Sequence, residues 1–307
     1  MSQYILRRFL QMIPITFGIL TLVFSLIHMI PGDPAVQIAG EGARAEDVIA
    51  IRKALGLDQP LWTQYVHYVT HVLRGDLGTS FQTNTSVSEQ IRRRYPATIE
   101  LAMGSMLVAL LVAFPLGVIS AIYRNSWIDN VARFFALIGV SMPSFLFGPL
   151  LIIIFAIDRH WFPVSGRDDG LRSLVLPSLT MGLALSAILT RMIRISLADE
   201  LTQLYVTTAV AKGVTRGRAI FRHALKNALI PVITVLALQF GSLLTGAIIT
   251  EQIFSWPGLG RLLLTSISTR DYPQVQASIL VIALTYILVN FASDLLYGVV
   301  DPRIKLE

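Results

Sequence analysis

The chain of 307 residues contains no cysteine, which excludes disulfides, thiolate catalysis and cysteine-based metal sites. Charge is also scarce, at 14% of residues, against about a quarter in an ordinary soluble domain. No Gly-x-x-x-x-Gly-Lys-Ser/Thr run occurs, so the chain has no P-loop of its own for ATP. Paired aspartates, a Ser/His arrangement and His-Glu-x-x-His are missing from the apolar segments, which removes the intramembrane proteases. Ionisable groups are sparse deep in those segments too. Glu100, Arg191, Arg194, Glu251 and Asp294 fall near segment ends, which weighs against a proton- or sodium-coupled carrier, as does the lack of a visible inverted repeat. The net charge of +6 has no basic helix with interleaved aromatics behind it, so nucleic acid is not an expected partner.

What the sequence has in abundance is apolar length. Hydrophobic residues make up 54% of the chain, and runs of about 20 apolar residues suffice to cross a bilayer as helices. They fall at 9–30, 99–122, 131–157, 174–196, 229–250 and 275–299. This predicts an all-α integral membrane protein, a bundle of six transmembrane helices. Arg7 and Arg8 precede the first run as in a signal peptide, but the run is long and no small-residue cleavage site follows, so it is read as a retained span. Six spans put both termini on one side. That side collects thirteen basic residues against five once the long 31–98 segment is set aside, because long segments cross regardless of charge. The termini, including Arg303 and Lys305, and the 197–228 loop are therefore expected to be cytoplasmic.

The external 31–98 segment carries helical stripes, with Val48, Ile51 and Leu55 before Gly56, and Leu61, Tyr65, Val69 and Val72 after Pro60. Ser86 and Glu89 fit a capping box opening a third short helix. A compact cap over the outer mouth and a set of interfacial helices anchored by Trp62, Tyr65 and Tyr68 both fit this pattern. Pro14, Pro115, Pro143 and Pro149 interrupt spans; at Ser141-Met142-Pro143-Ser144 hydroxyls flank the break. Such a kink either lines a cavity or serves packing.

The loop Asp199–Pro231 is the most informative stretch. A helix to Lys212 would stop at Gly213, and Thr215 would cap a second helix from Arg216 toward Asn227. Lys212, Arg216, Arg218 and Arg222 form its basic face, while Val206, Val210, Ile220 and Leu225 offer apolar surface. Two readings exist: a knob that docks into another subunit, or a basic loop that only enforces topology. The capped two-helix pattern favours docking.

The loop resembles the EAA loop of ABC importer permeases, whose pattern is Glu-Ala-Ala, three residues, Gly, nine residues, then Ile-x-Leu-Pro. Thr207, Thr208 and Ala209 take the first positions, Gly213 the glycine, and His223, Ala224, Leu225 and Lys226 the last four. Ala209, Gly213 and Leu225 match; the Glu, Ile and final Pro positions differ. The likeness to the dipeptide, oligopeptide, glutathione and nickel branch is closer and covers nearly the whole chain. It rests on His28-Met29-Ile30-Pro31-Gly32-Asp33-Pro34, Gly56-Leu57-Asp58-Gln59-Pro60, Gly75-Asp76-Leu77-Gly78, Thr208-Ala209-Val210-Ala211-Lys212-Gly213, and Phe254-Ser255-Trp256-Pro257-Gly258-Leu259-Gly260 followed by Arg270-Asp271-Tyr272-Pro273.

That resemblance implies a channel-forming permease of a bacterial inner-membrane peptide importer, paired with a homologous second permease. It implies two ATPase subunits that hold the ATP and magnesium, with no cofactor in this chain, and an extracytoplasmic binding protein. Thr207, Thr208, Ala209, Lys212, Gly213, Arg216, Arg222, His223 and Leu225 would couple to the ATPases. Ser141, Gln239, Ser242, Thr245 and Asn290 are polar positions in spans; pathway lining and helix–helix hydrogen bonding explain them equally. Pro31-Gly32-Asp33-Pro34 is a helix-ending turn, and Trp256-Pro257-Gly258-Leu259-Gly260 a rigid reversal at the outer face. His67 and His71 have metal-compatible spacing but no third ligand, so no metal site is expected.

Overall fold

A computed structural model describes residues 2–29, 35, 36, 44–54 and 56–300. The Pro31–Pro34 turn, Leu55, Arg303 and Lys305 lie outside the described residues. All regular structure among those residues is helical, apart from one isolated bridge between Thr79 and Ser86. Chain order is α1 (Ser2–Met29), α2 (Ala45–Ala54), α3 (Leu61–Leu73), α4 (Val87–Ile122), α5 (Trp127–Ser141) and α6 (Ser144–Leu151, continued as a π-helix over Ile152–Asp158). There follow α7 (Leu171–Glu200), α8 (Leu204–Ala211), α9 (Arg216–Arg218, continued as a π-helix over Ala219–Ala224), α10 (Leu225–Ile253), α11 (Leu259–Ser268) and α12 (Tyr272–Val300).

The centre of the bundle is the contact between α4 and α7. Both helices are long and apolar, and small residues at the seam allow their backbones to approach closely. A Cβ on Gly182 would lie 2.6 Å from the Ser105 carbonyl oxygen, and one on Gly117 would lie 2.7 Å from the Ile193 Cβ. Around the seam Leu101, Ala109, Ala113, Leu189, Ile193 and Leu197 are buried together. Helix α10 packs on α7 and α12, α5 packs on α7, and α1 reaches the bundle mainly through α12. Large apolar side chains along α1 and α5, such as Phe9, Phe17, Phe134 and Phe135, face outward, as expected of helices in lipid.

Among the described residues five helices are long and apolar enough to span: Ile5–Ser25, Val87–Ile122, Leu171–Glu200, Arg216–Thr245 and Tyr272–Leu296. The expected third span, 131–157, is instead two helices joined at Met142–Pro143, so the bundle has five continuous long helices and one broken segment. Met142 is extended (ψ 120°) and Pro143, which has no N–H to continue α5, opens α6. Pro14, Pro115 and Pro149 stay within helices.

Two further expectations are corrected by helix continuity. The third short helix of the 31–98 segment is not separate: α4 starts at Val87 and runs unbroken through Pro96 to Ile122. Ser86 sits at its N-cap without a side-chain cap bond, and Glu89 pairs with Arg93 one turn on rather than reaching back. Likewise the helix from Arg216 does not stop near Asn227, because its apolar pattern runs on through the π-turn into α10. Thr215 holds the N-cap backbone position but makes no side-chain cap bond.

Substituting Gly182→Leu should overpack the α4–α7 seam, at a cost of about 1–3 kcal/mol, and lower the detergent unfolding midpoint. Gly18→Leu, where a Cβ meets nothing within 4 Å, should leave it unchanged.

Candidate functional site

At one end of the bundle α7 runs into a short turn, α8 and α9, which together form a hairpin. Gly213 ends α8 in the left-handed region (φ 93°), and the Val214 N–H reaches the Ala209 carbonyl at 3.1 Å while the Gly213 N–H reaches that of Val210 at 2.9 Å. This is the Schellman pattern, which satisfies the open carbonyls of a helix C-terminus and suits a residue without Cβ. Ala209 and Gly213 therefore have a clear local reason for their spacing.

The hairpin is fastened from inside. Val206, Ala219, Ala224 and Leu225 join the buried core, and Ile220 is buried beside them. This corrects the expectation that Val206, Ile220 and Leu225 present apolar surface: they face the bundle, and only Val210 of the four is exposed. The most exposed apolar side chains of the hairpin are Leu204, 83% accessible and followed in sequence by Tyr205, and Phe221, 58% accessible. Lys212, Arg216, Arg218 and Arg222 are all exposed, as are Thr207 and Thr208; Ala209 and His223 are half-buried. Thr207 donates to the Leu204 carbonyl (2.9 Å), and with Arg216 it lines a pocket of about 270 Å³ walled by Val206, Val210 and Ile220. The Tyr205 hydroxyl donates to Glu200 and accepts from Asn227 Nδ2 at 3.0 Å, tying α8 to the end of α7 and to α10.

At the same end sits a buried ion pair that the sequence did not reveal. Asp129, fully buried in the first turn of α5, accepts from Arg194 Nε (2.6 Å) and Nη2 (2.7 Å) of α7. Its carboxylate also accepts from the Ser120 hydroxyl of α4 and the Asn125 N–H (2.9 Å) of the turn between α4 and α5. Arg133 adds a longer contact at 3.7 Å. Bidentate Arg–carboxylate pairing fixes orientation as well as distance.

The opposite end is closed by a second polar cluster. Glu251 accepts from the Thr98 hydroxyl (2.7 Å) and the Arg261 N–H (2.9 Å), and Thr98 in turn accepts the Leu259 N–H (2.8 Å). Carboxylate and hydroxyl thus serve the open N–H groups at the start of α11. Gly258 is required there, because a Cβ would lie 2.0 Å from Glu251 Oε1. The Trp256 indole, fully buried, donates to the Ala97 carbonyl at 2.7 Å, and Arg167 lies 5.9 Å from its ring centroid while pairing with Glu100 at 2.6 Å. Hence Trp256-Pro257-Gly258-Leu259-Gly260 does form a rigid reversal, packed against α4.

Two motifs distant in sequence meet nearby. Asp271 accepts from the Ser80 hydroxyl and the Phe81 N–H (3.1 Å), so the loop after Gly75-Asp76-Leu77-Gly78 is latched to Arg270-Asp271-Tyr272-Pro273. Asp76 accepts from the Gly78 N–H and His71, which together hold its carboxyl below the ordinary range. His28 bonds locally to the Phe24 carbonyl and Gln64, and His67 stacks on His71. No group of three metal-ligating side chains occurs among the described residues.

The weaker candidates are not gathered into one site. Ser141 is exposed at the end of α5, Ser242 is exposed on α10, and Gln239 and Asn290 are half-buried on α10 and α12. The Thr245 hydroxyl is used on its own helix, toward the Gly241 and Ser242 carbonyls. An apolar cavity of about 310 Å³ between α4, α5, α6 and α7 is lined by Met142 and Phe147, on either side of the helix break, and by none of these five.

An all-helical bundle with long apolar spans, a helix break and a short basic hairpin at one end has the fold of an ABC transporter permease, a class whose members are not themselves ATPases. The chain belongs to the family described as binding-protein-dependent transport system inner membrane component, matched over residues 113–306, with the N-terminal model of that family matched over 1–102. It is 45% identical over 307 residues to the glutathione transport system permease protein GsiC of Salmonella choleraesuis (strain SC-B67), covering all of both chains. It is 43% identical over the same length to the GsiC of Escherichia coli (strain K12). Among solved structures it is similar to the inward-facing MetNI methionine ABC transporter, with TM-score 0.59 and 16% identity over 69% of this chain and 96% of that one. Membership of a binding-protein-dependent family implies ATPase and binding-protein partners.

Replacing Glu251 by Ala would leave the Arg261 N–H and the Thr98 hydroxyl without their acceptor, a loss of about 1–3 kcal/mol. Thermal unfolding in detergent should show the decrease; Glu251→Gln, which keeps an acceptor oxygen, should lose less.

Proposed function

We propose that this chain is the channel-forming subunit of an ATP-driven importer of short peptides, with both termini and the α8–α9 hairpin on the cytoplasmic side. The hairpin docks into an ATPase subunit, a homologous permease completes the pathway, and an extracytoplasmic binding protein delivers the substrate. The observation that carries the reading is the hairpin surface: Leu204 and Phe221 project from it unburied, with exposed Arg222 next to Phe221 in sequence and exposed Arg218 three positions before it. A loop that only enforced topology would need the basic residues and neither exposed apolar side chain. In this reading the two exposed side chains are the anchors that a cleft on the ATPase subunit would cover.

Support for the peptide assignment comes from the relatives, glutathione permeases identical at 45% of positions along the full length. Glutathione is a tripeptide, so short peptides are the substrate class proposed. The residues placed at the ATPase contact are Thr207, Thr208, Lys212, Arg216 and Arg222, with Leu204 and Phe221 as apolar anchors. Ala209, Gly213 and Leu225 hold the hairpin in shape, and half-buried His223 completes the proposed coupling set. ATP and magnesium belong to the ATPase subunits.

Leu204→Glu combined with Phe221→Asp should leave the chain inserted in the membrane but strip the ATPase subunits from the purified complex. Uptake of radiolabelled glutathione should fall by about tenfold or more, as loss of apolar anchors at an interface does. ATPase retention and uptake at the unsubstituted level would refute the docking surface.

A further inference from the structure

The Asp129–Arg194 pair ties the base of the broken segment to α7, the helix that leads into the hairpin. Arg194 is on α7, between one and two turns before that helix ends at Glu200. Glu200 is tied through the Tyr205 hydroxyl to Asn227, so α7, α8 and α10 are linked by polar contacts at the root of the hairpin. Asp129 opens α5 and is bonded to α4, to the α4–α5 turn and to α7 at once. Beside the middle of α5 lies the 310 Å³ apolar cavity, lined by Ala132 and Phe135 of α5 and Leu183 and Ala187 of α7, and α5 then ends at the Met142–Pro143 break. The helix is clamped at its base, has unfilled space beside its middle, and is cut at its top.

A buried ion pair is weak evidence for stability. Its desolvation offsets much of its attraction, and neutral packing in its place is often tolerated. What bidentate geometry supplies is a fixed relation between two helices. We propose that Asp129 and Arg194 are positioning residues for ATP-driven transport: the pair carries movement of the hairpin along α7 into the base of α5. Helix α5 then swings about that clamped base, its far end, released at the Met142–Pro143 break, moving along α7 into the cavity. The idea rests on the docking role given to the hairpin above. The two fail separately, because Leu204 and Phe221 lie on the hairpin surface and the pair lies beneath it.

The test uses the full complex, with its ATPase and binding-protein partners, in proteoliposomes. The double substitution Asp129→Asn with Arg194→Gln removes both charges together and avoids stranding one of them. The complex should assemble with its ATPase subunits and hydrolyse ATP, while glutathione taken up per ATP falls by about tenfold, a size typical of coupling between separated sites. Asp129→Asn alone should be worse than the double substitution, which a purely local role would not require of uptake per ATP. Native uptake per ATP in an assembled double variant would overturn the proposal.

A second variant keeps the pair intact. A Cβ on Gly139 of α5 would lie 3.1 Å from the Ala187 Cβ of α7, a few tenths of an ångström under the roughly 3.5–4.5 Å Cβ separation of a disulfide. The chain has no other cysteine, so Gly139→Cys with Ala187→Cys gives a single cross-link. Oxidation should stop uptake while ATP hydrolysis persists, and reduction should restore it. Equal uptake by the oxidised and reduced forms would show that α5 does not move against α7, and would overturn the proposal even where the double variant fails to assemble.

Discussion

The close approach of α4 and α7 is the contact on which the remaining architecture depends. Inside a bilayer there is no water to drive helices together, so packing must come from short interhelical distances. Gly104, Gly117 and Gly182 make that distance available: a side chain at any of them would strike the facing helix at under 3 Å. The paired helices then present Ser120 and Arg194 at one end, where Asp129 joins them, and Thr98 at the other, where Glu251 joins. Both polar clusters are thus anchored to one rigid pair.

The clusters divide the labour. At the far end, Glu251, Thr98 and Trp256 fix the backbone of a loop that would otherwise carry open N–H groups into a buried setting, and Asp271 latches the segment between α3 and α4 onto the start of α12. At the hairpin end, Asp129 connects helices rather than loops. The hairpin itself is held by apolar burial of Val206, Ile220 and Leu225 and by a Schellman turn, which leaves its outer face free for contact. A rigid far end, a clasped base and an unburied outer surface are the parts that a permease driven by a separate ATPase requires.

Much of this was legible in the sequence. The low charge and the apolar runs give an all-helical membrane protein, because a bilayer admits few alternatives. Gly213 marks the hairpin turn for a local, steric reason. The failures share a cause. Ser86 and Thr215 do stand at helix starts; local signals do not show how far each helix runs, and α4 continues through Pro96 and α9 into α10 along apolar faces packed on other helices. The stripe of Val206, Ile220 and Leu225 faces inward rather than outward, because periodicity shows that a stripe exists, not which neighbour covers it. Asp129 and Arg194 stand 65 positions apart, and Glu251 was read only as a span-end charge; pairings of that kind exist in the fold and leave no mark in spacing. The same holds for the meeting of Gly75-Asp76-Leu77-Gly78 with Arg270-Asp271-Tyr272-Pro273.

The central claim is that ATP hydrolysed by a partner, on the hairpin side of the membrane, drives peptide inward through this chain. The direct measurement is uptake of radiolabelled glutathione by proteoliposomes holding the permease with its ATPase partners, with the binding protein outside and ATP sealed on the hairpin side. The account predicts accumulation that requires ATP and the binding protein and is indifferent to a proton gradient. Accumulation driven by a proton gradient in the absence of ATP and ATPase would contradict it and make the chain a secondary carrier.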